Sequence, residues 1–216
     1  MEELDLLKKD WKRNHAFSQV SEPEIYKMLH KKSSSIVKWI FIVSVCELAL
    51  GFVLSLITSF TKYDAQNIEM IKKWGIYNYY TAVNVILYAV ILYFIYRFYM
   101  MYRRISVVEN TKNLIASILK TRKVVKQYIA FNLAAFAFLF IGFGSYVLHH
   151  GYMELKIKNG VEHPEVPMKL MLEGLGILIV VAAIMTFGIW GIYRLAYGLL
   201  LKKLFRNYEE LKKIDL

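Results

Sequence analysis

The sequence predicts an all-α integral membrane protein: a four-transmembrane-helix up-down bundle with cytoplasmic helical extensions. Three observations carry this expectation. Hydrophobic residues make up 57% of the 216 positions. Four apolar stretches, about 36–60, 79–101, 128–149 and 174–201, stand in the chain, each long enough for the roughly 20 helical residues that cross a hydrocarbon core about 30 Å thick. Lysine and arginine are unevenly shared: 8 up to Lys38, 7 between Arg103 and Lys126 and 5 after the last span, against 3 in each of the other two connections. Basic residues collect beside spans on the cytoplasmic side. Both termini and the middle connection are therefore expected in the cytoplasm.

The chain divides accordingly into cytoplasmic N-terminal helices (1–35), the transmembrane domain (36–201) with a basic connection at 103–127, and a basic cytoplasmic tail (202–216). Leu4, Leu7 and Trp11 form an apolar stripe at helical spacing among charges, the signature of a short amphipathic helix. Ser21-Glu22-Pro23-Glu24 has the form of a capping box with proline in the first turn, so a second helix is expected to start there and run on into the first span. That span is interrupted only by Lys38 and Glu47.

Thr61–Asn78 reads as a short connection carrying one interfacial amphipathic turn. The basic 103–127 connection has a helical apolar repeat and reads as a hairpin broken near Glu109–Asn113. The third span carries Ala130, Ala134, Ala137, Gly142 and Gly144, small surfaces that allow close helix approach. Glu154–Lys158 followed by Asn159-Gly160 resembles a β-hairpin signal. The three prolines, Pro23, Pro164 and Pro167, all lie outside the spans.

A net charge of +11 would suggest nucleic acid in a soluble chain, but the loop asymmetry of a membrane protein accounts for it here, and no stacking platform or recognition motif accompanies it. Cys46, the single cysteine, excludes an intramolecular disulfide. No cleavable signal peptide is expected, because the first apolar run follows 35 mostly polar residues.

Candidate sites are few. An ionisable residue in a span is costly and is usually paired or neutralised, and Glu47 is expected to pair with Arg194, the first and fourth helices of an up-down bundle being neighbours. Asn84 or Asn132 would assist. Such a pair fixes helix register or, in another reading, couples protons or ions. Leu4, Leu7 and Trp11 are candidate partner-binding residues. Arg103, Arg104, Lys120, Arg122, Lys123 and Lys126 are candidates for anionic lipid headgroups, each cation near such a surface contributing roughly 1 kcal/mol. Tyr93, Tyr96, Tyr99 and Tyr102 stand at three-residue steps, as an aromatic cage or a packed tyrosine face would. No nucleotide loop, zinc-protease motif or nucleophile elbow is present, so no catalytic residue, cofactor or metal is expected.

Four segments together carry a resemblance: LDLLKKDW, EIYKMLHKKSSSIVKWI, ILKTRKVVKQYIAFN and YGLLLKKLFRNYEELKKID. They resemble an uncharacterised family of small four-span membrane proteins from Bacteroidota, flavobacteria especially, whose members often carry the transferred name beta-carotene 15,15'-monooxygenase. The resemblance implies a bacterial inner membrane and, through that name, an oxygenase. Carotenoid-cleaving enzymes hold iron with sets of histidines; this chain has His15, His30, His149, His150 and His163, with none at a diagnostic spacing. A short cytosolic helix ahead of a membrane anchor is also similar to the layout of anti-sigma regulators.

The function expected is a non-enzymatic regulatory or scaffolding protein engaging a cytosolic regulatory protein through residues 1–30 and the 103–127 connection. The alternatives are a transport or pore-forming homo-oligomer with Glu47 as its buried polar element, and a membrane oxygenase.

Overall fold

The structure, a computed structural model, describes residues 21–107, 110–162 and 164–214. Among these residues the regular structure is helical throughout: α1 (Glu22–Ser59), α2 (Lys62–Lys73), α3 (Tyr77–Val107), α4 (Thr111–Lys158), α5 (Met168–Tyr193), a π-helical turn (Arg194–Gly198) and α6 (Leu199–Ile214). Helices α1, α3 and α4, and the continuous helix that begins with α5 and ends in α6, are long and apolar enough to cross a membrane.

Length shows how these helices are used. The 38 residues of α1 and 48 of α4 correspond to about 57 Å and 72 Å at the helical rise. Each exceeds a hydrocarbon core by several turns. The surplus of α1, α3, α4 and α6 gathers at one end, called the base below, where α1 begins, α3 turns into α4 and α6 ends. At the base, α1 starts with Pro23 in its first turn and with the Glu24 carboxylate accepting from the Ser21 N–H at 3.1 Å. The α3–α4 junction is set by Asn110, whose side chain accepts from the Lys112 N–H at 3.0 Å and caps α4.

The core lies in the basal half. Leu29, Val37 and Ile40 of α1 meet Phe98 and Ile105 of α3, Leu114, Ile118 and Val125 of α4, and Leu204 and Leu211 of α6, all buried. Their spacing of three, four, seven or eight residues on each helix puts them on one face. Two polar contacts, one buried and one half-buried, fix register within this apolar packing. Asn207 donates to the Ser33 hydroxyl at 3.2 Å, and the His30 ring hydrogen-bonds the Ile105 carbonyl at 2.7 Å.

Toward the distal end the helices are mostly exposed side by side, as with Leu50, Ile86, Phe138 and Ile184. Helices that cross a membrane associate by close fit rather than by the hydrophobic effect, because lipid is as apolar as leucine. The α4–α5 seam shows such a fit: a Cβ on Gly144 would lie 2.8 Å from a methyl of Leu178, and one on Gly174 would overlap Leu148. The small residues predicted for the third span thus include one, Gly144, at a helix contact.

The distal connections are capped alike. Gly75 and Gly160 have φ of +74° and +85°, the left-handed conformation that favours glycine. Each ends its helix with paired backbone bonds, Gly75 N–H to Lys72 and Ile76 N–H to Ile71, and Gly160 N–H to Ile157 and Val161 N–H to Lys156. These are Schellman closures. The β-hairpin expected at Asn159-Gly160 is therefore corrected: Glu154–Lys158 is the last turn of α4, and the Asn-Gly pair stops a helix. Above the distal end, α2 is tied down by a 2.8 Å Lys73–Glu154 ion pair, a 3.0 Å bond from the Tyr146 hydroxyl to the Trp74 carbonyl, and Trp74 stacked on His150.

Candidate functional site

Glu47 has partners, and they are tyrosines. The Tyr193 hydroxyl donates to one carboxylate oxygen, and the Tyr197 hydroxyl donates to the other at 3.1 Å. Tyr128 of α4 completes the group, its ring 6.3 Å from that of Tyr193 and 6.0 Å from that of Tyr197. Phe94 and Phe98 of α3 pack edge-on against Tyr128, each with centroids 5.4 Å apart. One carboxylate thus joins α1 to the fourth long helix, while an aromatic layer below it brings in the other two.

The backbone explains the geometry. Tyr193 and Tyr197 are four residues apart, hence on one helix face, and they flank the start of the π turn, where the helix accommodates a wider coil. Arg194 follows Tyr193 and therefore points about 100° away from it at 3.6 residues per turn. Its exposed guanidinium lies over Trp190, 5.2 Å from the ring centroid. The Glu47–Arg194 pair expected from the sequence is accordingly not among the ion pairs of the described residues. The expected helices meet at Glu47, with the partner one residue away. Asn84 and Asn132 each donate to the carbonyl four residues earlier in their own helices, Tyr80 and Tyr128.

The predicted headgroup cations separate. Arg103, Arg104 and Lys120 line one cleft between α3 and α4, together with Arg97. Arg122 instead caps the Phe205 ring of α6 at 4.4 Å. Lys123 and Lys126 are exposed on α4. The tyrosine steps divide as well: Tyr93 and Tyr96 line the cleft, whereas Tyr99 packs on Phe41 and Tyr102 on the core, so no cage forms. The predicted partner-binding residues Leu4, Leu7 and Trp11 lie outside the described residues, as does His163.

Among the described residues no three His, Cys, Asp or Glu side chains gather where they could hold a metal ion. His149 and His150 are neighbours at 5.1 Å between ring centroids, and His150 also packs on Tyr146 at 4.2 Å. Burial, and then the adjacent His149, hold the His150 pKa below its usual value. Glu154 is held below the usual carboxylate range chiefly by its hydrogen bond from Lys73.

No curated protein and no solved structure is found to match the chain. A family described as a domain of unknown function, DUF8845, matches residues 23–216. That match spans α1 to the C-terminus, including the Glu47–tyrosine group and the basic cleft, and the chain belongs to this family.

Proposed function

We propose that the protein is a non-enzymatic regulatory or scaffolding protein of a bacterial inner membrane. It crosses the bilayer four times in up-down order, with its base in the cytoplasm, and engages a soluble regulatory protein there. The observation that carries this reading is the position of the core. Residues such as Leu29, Ile105, Leu114 and Leu211 are buried in helical limbs longer than a bilayer requires. A chain that only needed an anchor would have no use for a packed base. The loop asymmetry of lysine and arginine supports the same orientation.

Glu47 fits as the pin of this architecture. Both carboxylate oxygens are occupied by phenol donors from the fourth long helix, which satisfies an otherwise costly group and fixes the depth at which α1 meets it. The exposed cations of the base, Lys123 and Lys126 among them, give a soluble partner with an acidic surface a place to dock.

The test is photo-crosslinking in native membranes from Lys123 and, separately, from Trp11. Capture of the same soluble protein at both positions, in a complex that re-forms from purified components, supports the proposal. Recovery of only lipid or further copies of this chain at both positions overturns it.

A further inference from the structure

We propose that the cleft between α3 and the start of α4 binds one anionic phospholipid from the leaflet on the basal side. This rests on the membrane placement proposed above and not on the partner-docking role. The cleft has a volume of about 780 Å³, within the roughly 300–1,000 Å³ typical of ligand pockets.

One stripe of α3 builds most of it. Tyr93, Arg97, Met100, Arg104 and Val107 recur every three or four residues, so they share a face. The core residues Phe94, Phe98, Met101 and Ile105 occupy the neighbouring face. Lys120 enters from α4, and Arg103 stands beside Arg104.

The polarity is graded along the stripe. Arg97 lies about 10 Å above Arg104 by helical rise, and Tyr93 about 6 Å further toward the bilayer centre. Arg103 and Arg104 thus mark the basal end, Arg97 and Met100 stand between, and Tyr93 and Tyr96, both exposed, lead into the span. This order matches a phospholipid, whose phosphate and headgroup lie at the interface and whose chains run inward.

The charge calls for a counter-ion. None of Arg97, Arg103, Arg104 and Lys120 makes an ion pair with a carboxylate among the described residues. Among the described residues Arg97 meets the Tyr93 phenol, its guanidinium 5.8 Å from the ring centroid and 3.4 Å from the hydroxyl. Arginine presents a planar fork that matches phosphate oxygens two at a time. A soluble phosphate would leave the exposed tyrosine and methionine surface unused; a lipid covers both ends.

Native mass spectrometry of the full chain, released from micelles carrying equal phosphatidylglycerol and phosphatidylcholine, tests this. The expected result is one retained phosphatidylglycerol in preference to phosphatidylcholine, with retention weakened at least tenfold by the double change Arg97→Gln, Arg104→Gln. Lys120→Gln, at an exposed α4 position, should weaken it about threefold. Lys202→Gln with Lys203→Gln removes equal charge outside the cleft and should leave retention unchanged. Equal retention of both lipids, equal loss in the Lys202/Lys203 variant, or displacement by inorganic phosphate would overturn the proposal. A chain recovered without detergent in the soluble fraction would instead sink the membrane placement itself.

Discussion

Tyr193 donates its hydroxyl proton to a carboxylate oxygen of Glu47 across 146 positions of sequence. The bond ties α1 to the π turn that interrupts the fourth long helix, and Tyr197 holds the second oxygen at 3.1 Å. Leaving a buried acceptor without its donor costs about 1–3 kcal/mol, and the three side chains share one network. Tyr193→Phe and Tyr197→Phe should each destabilise the protein by about that amount. Combined with Glu47→Gln, either loss should fall short of the sum, because the changes remove the same interaction. Arg194→Gln, at an exposed position, should stay within about 0.5 kcal/mol. Reversible unfolding in mixed micelles measures all of these; additive losses, or an Arg194→Gln effect as large as that of Tyr193→Phe, would contradict the arrangement.

The concentration of the core at the base gives a second expectation. Ile118 and Leu204 are buried among the helical limbs of the base, so truncation to alanine there leaves a cavity, at about 2–5 kcal/mol. Phe138 is 79% exposed toward the distal end, and its replacement by alanine should barely alter the unfolding midpoint. Equal effects at Leu204 and Phe138 would mean that the base is not the folding core.

At the α4–α5 seam the close neighbour of Gly144 is the far end of the Leu178 side chain, which can rotate. Gly144→Ala should therefore cost under about 1 kcal/mol. Gly144→Phe cannot be accommodated by one rotamer change and should cost about 1–3 kcal/mol, as overpacking does. Thermal denaturation in detergent would distinguish this graded response from a flat one, which would place Gly144 on a lipid-facing surface.

Acid should loosen the distal cap in two steps. The His150 pKa is below its ordinary 6.5 because of burial and His149. As pH falls through 6.5 the unfolded chain takes up the proton first, and stability declines until the lower folded value is reached. Glu154 is held below its ordinary 4.5 by Lys73; its contribution is present above 4.5 and is lost as pH falls through the folded value. Melting temperature should therefore drop on going from pH 7.5 to 5. His150→Phe should flatten that part of the profile while leaving the decline below 4.5, which Glu154→Gln should remove. A profile unchanged by His150→Phe would contradict the assignment.

The parts legible in the sequence were those written in long apolar runs and short-range caps. The four long helices follow from extended hydrophobic stretches, the start of α1 from Ser21, Pro23 and Glu24, and the singling out of Glu47 from its place as a lone carboxylate in one of those stretches. Its partner was misplaced by one residue because charge complementarity pointed to Arg194, while helical phase favours Tyr193 and Tyr197. The four-residue spacing of those tyrosines was the available signal. The π turn has no comparable sequence mark. Asn159-Gly160 misled because a left-handed glycine serves a hairpin and a helix stop equally well. The basic connection looked uniform as a string, yet the angular order of α4 sends Lys120 into the cleft and Arg122 onto Phe205.

The proposed placement is a membrane-crossing bundle with a packed base in the cytoplasm. Single cysteines at Lys123→Cys in the base and Lys158→Cys at the distal end, in a Cys46→Ser background, test it through labelling of spheroplasts with a membrane-impermeant maleimide. The account predicts that the distal position labels in intact spheroplasts and the basal position only after permeabilisation. Labelling of the basal position in intact spheroplasts, or of both positions alike, would contradict it.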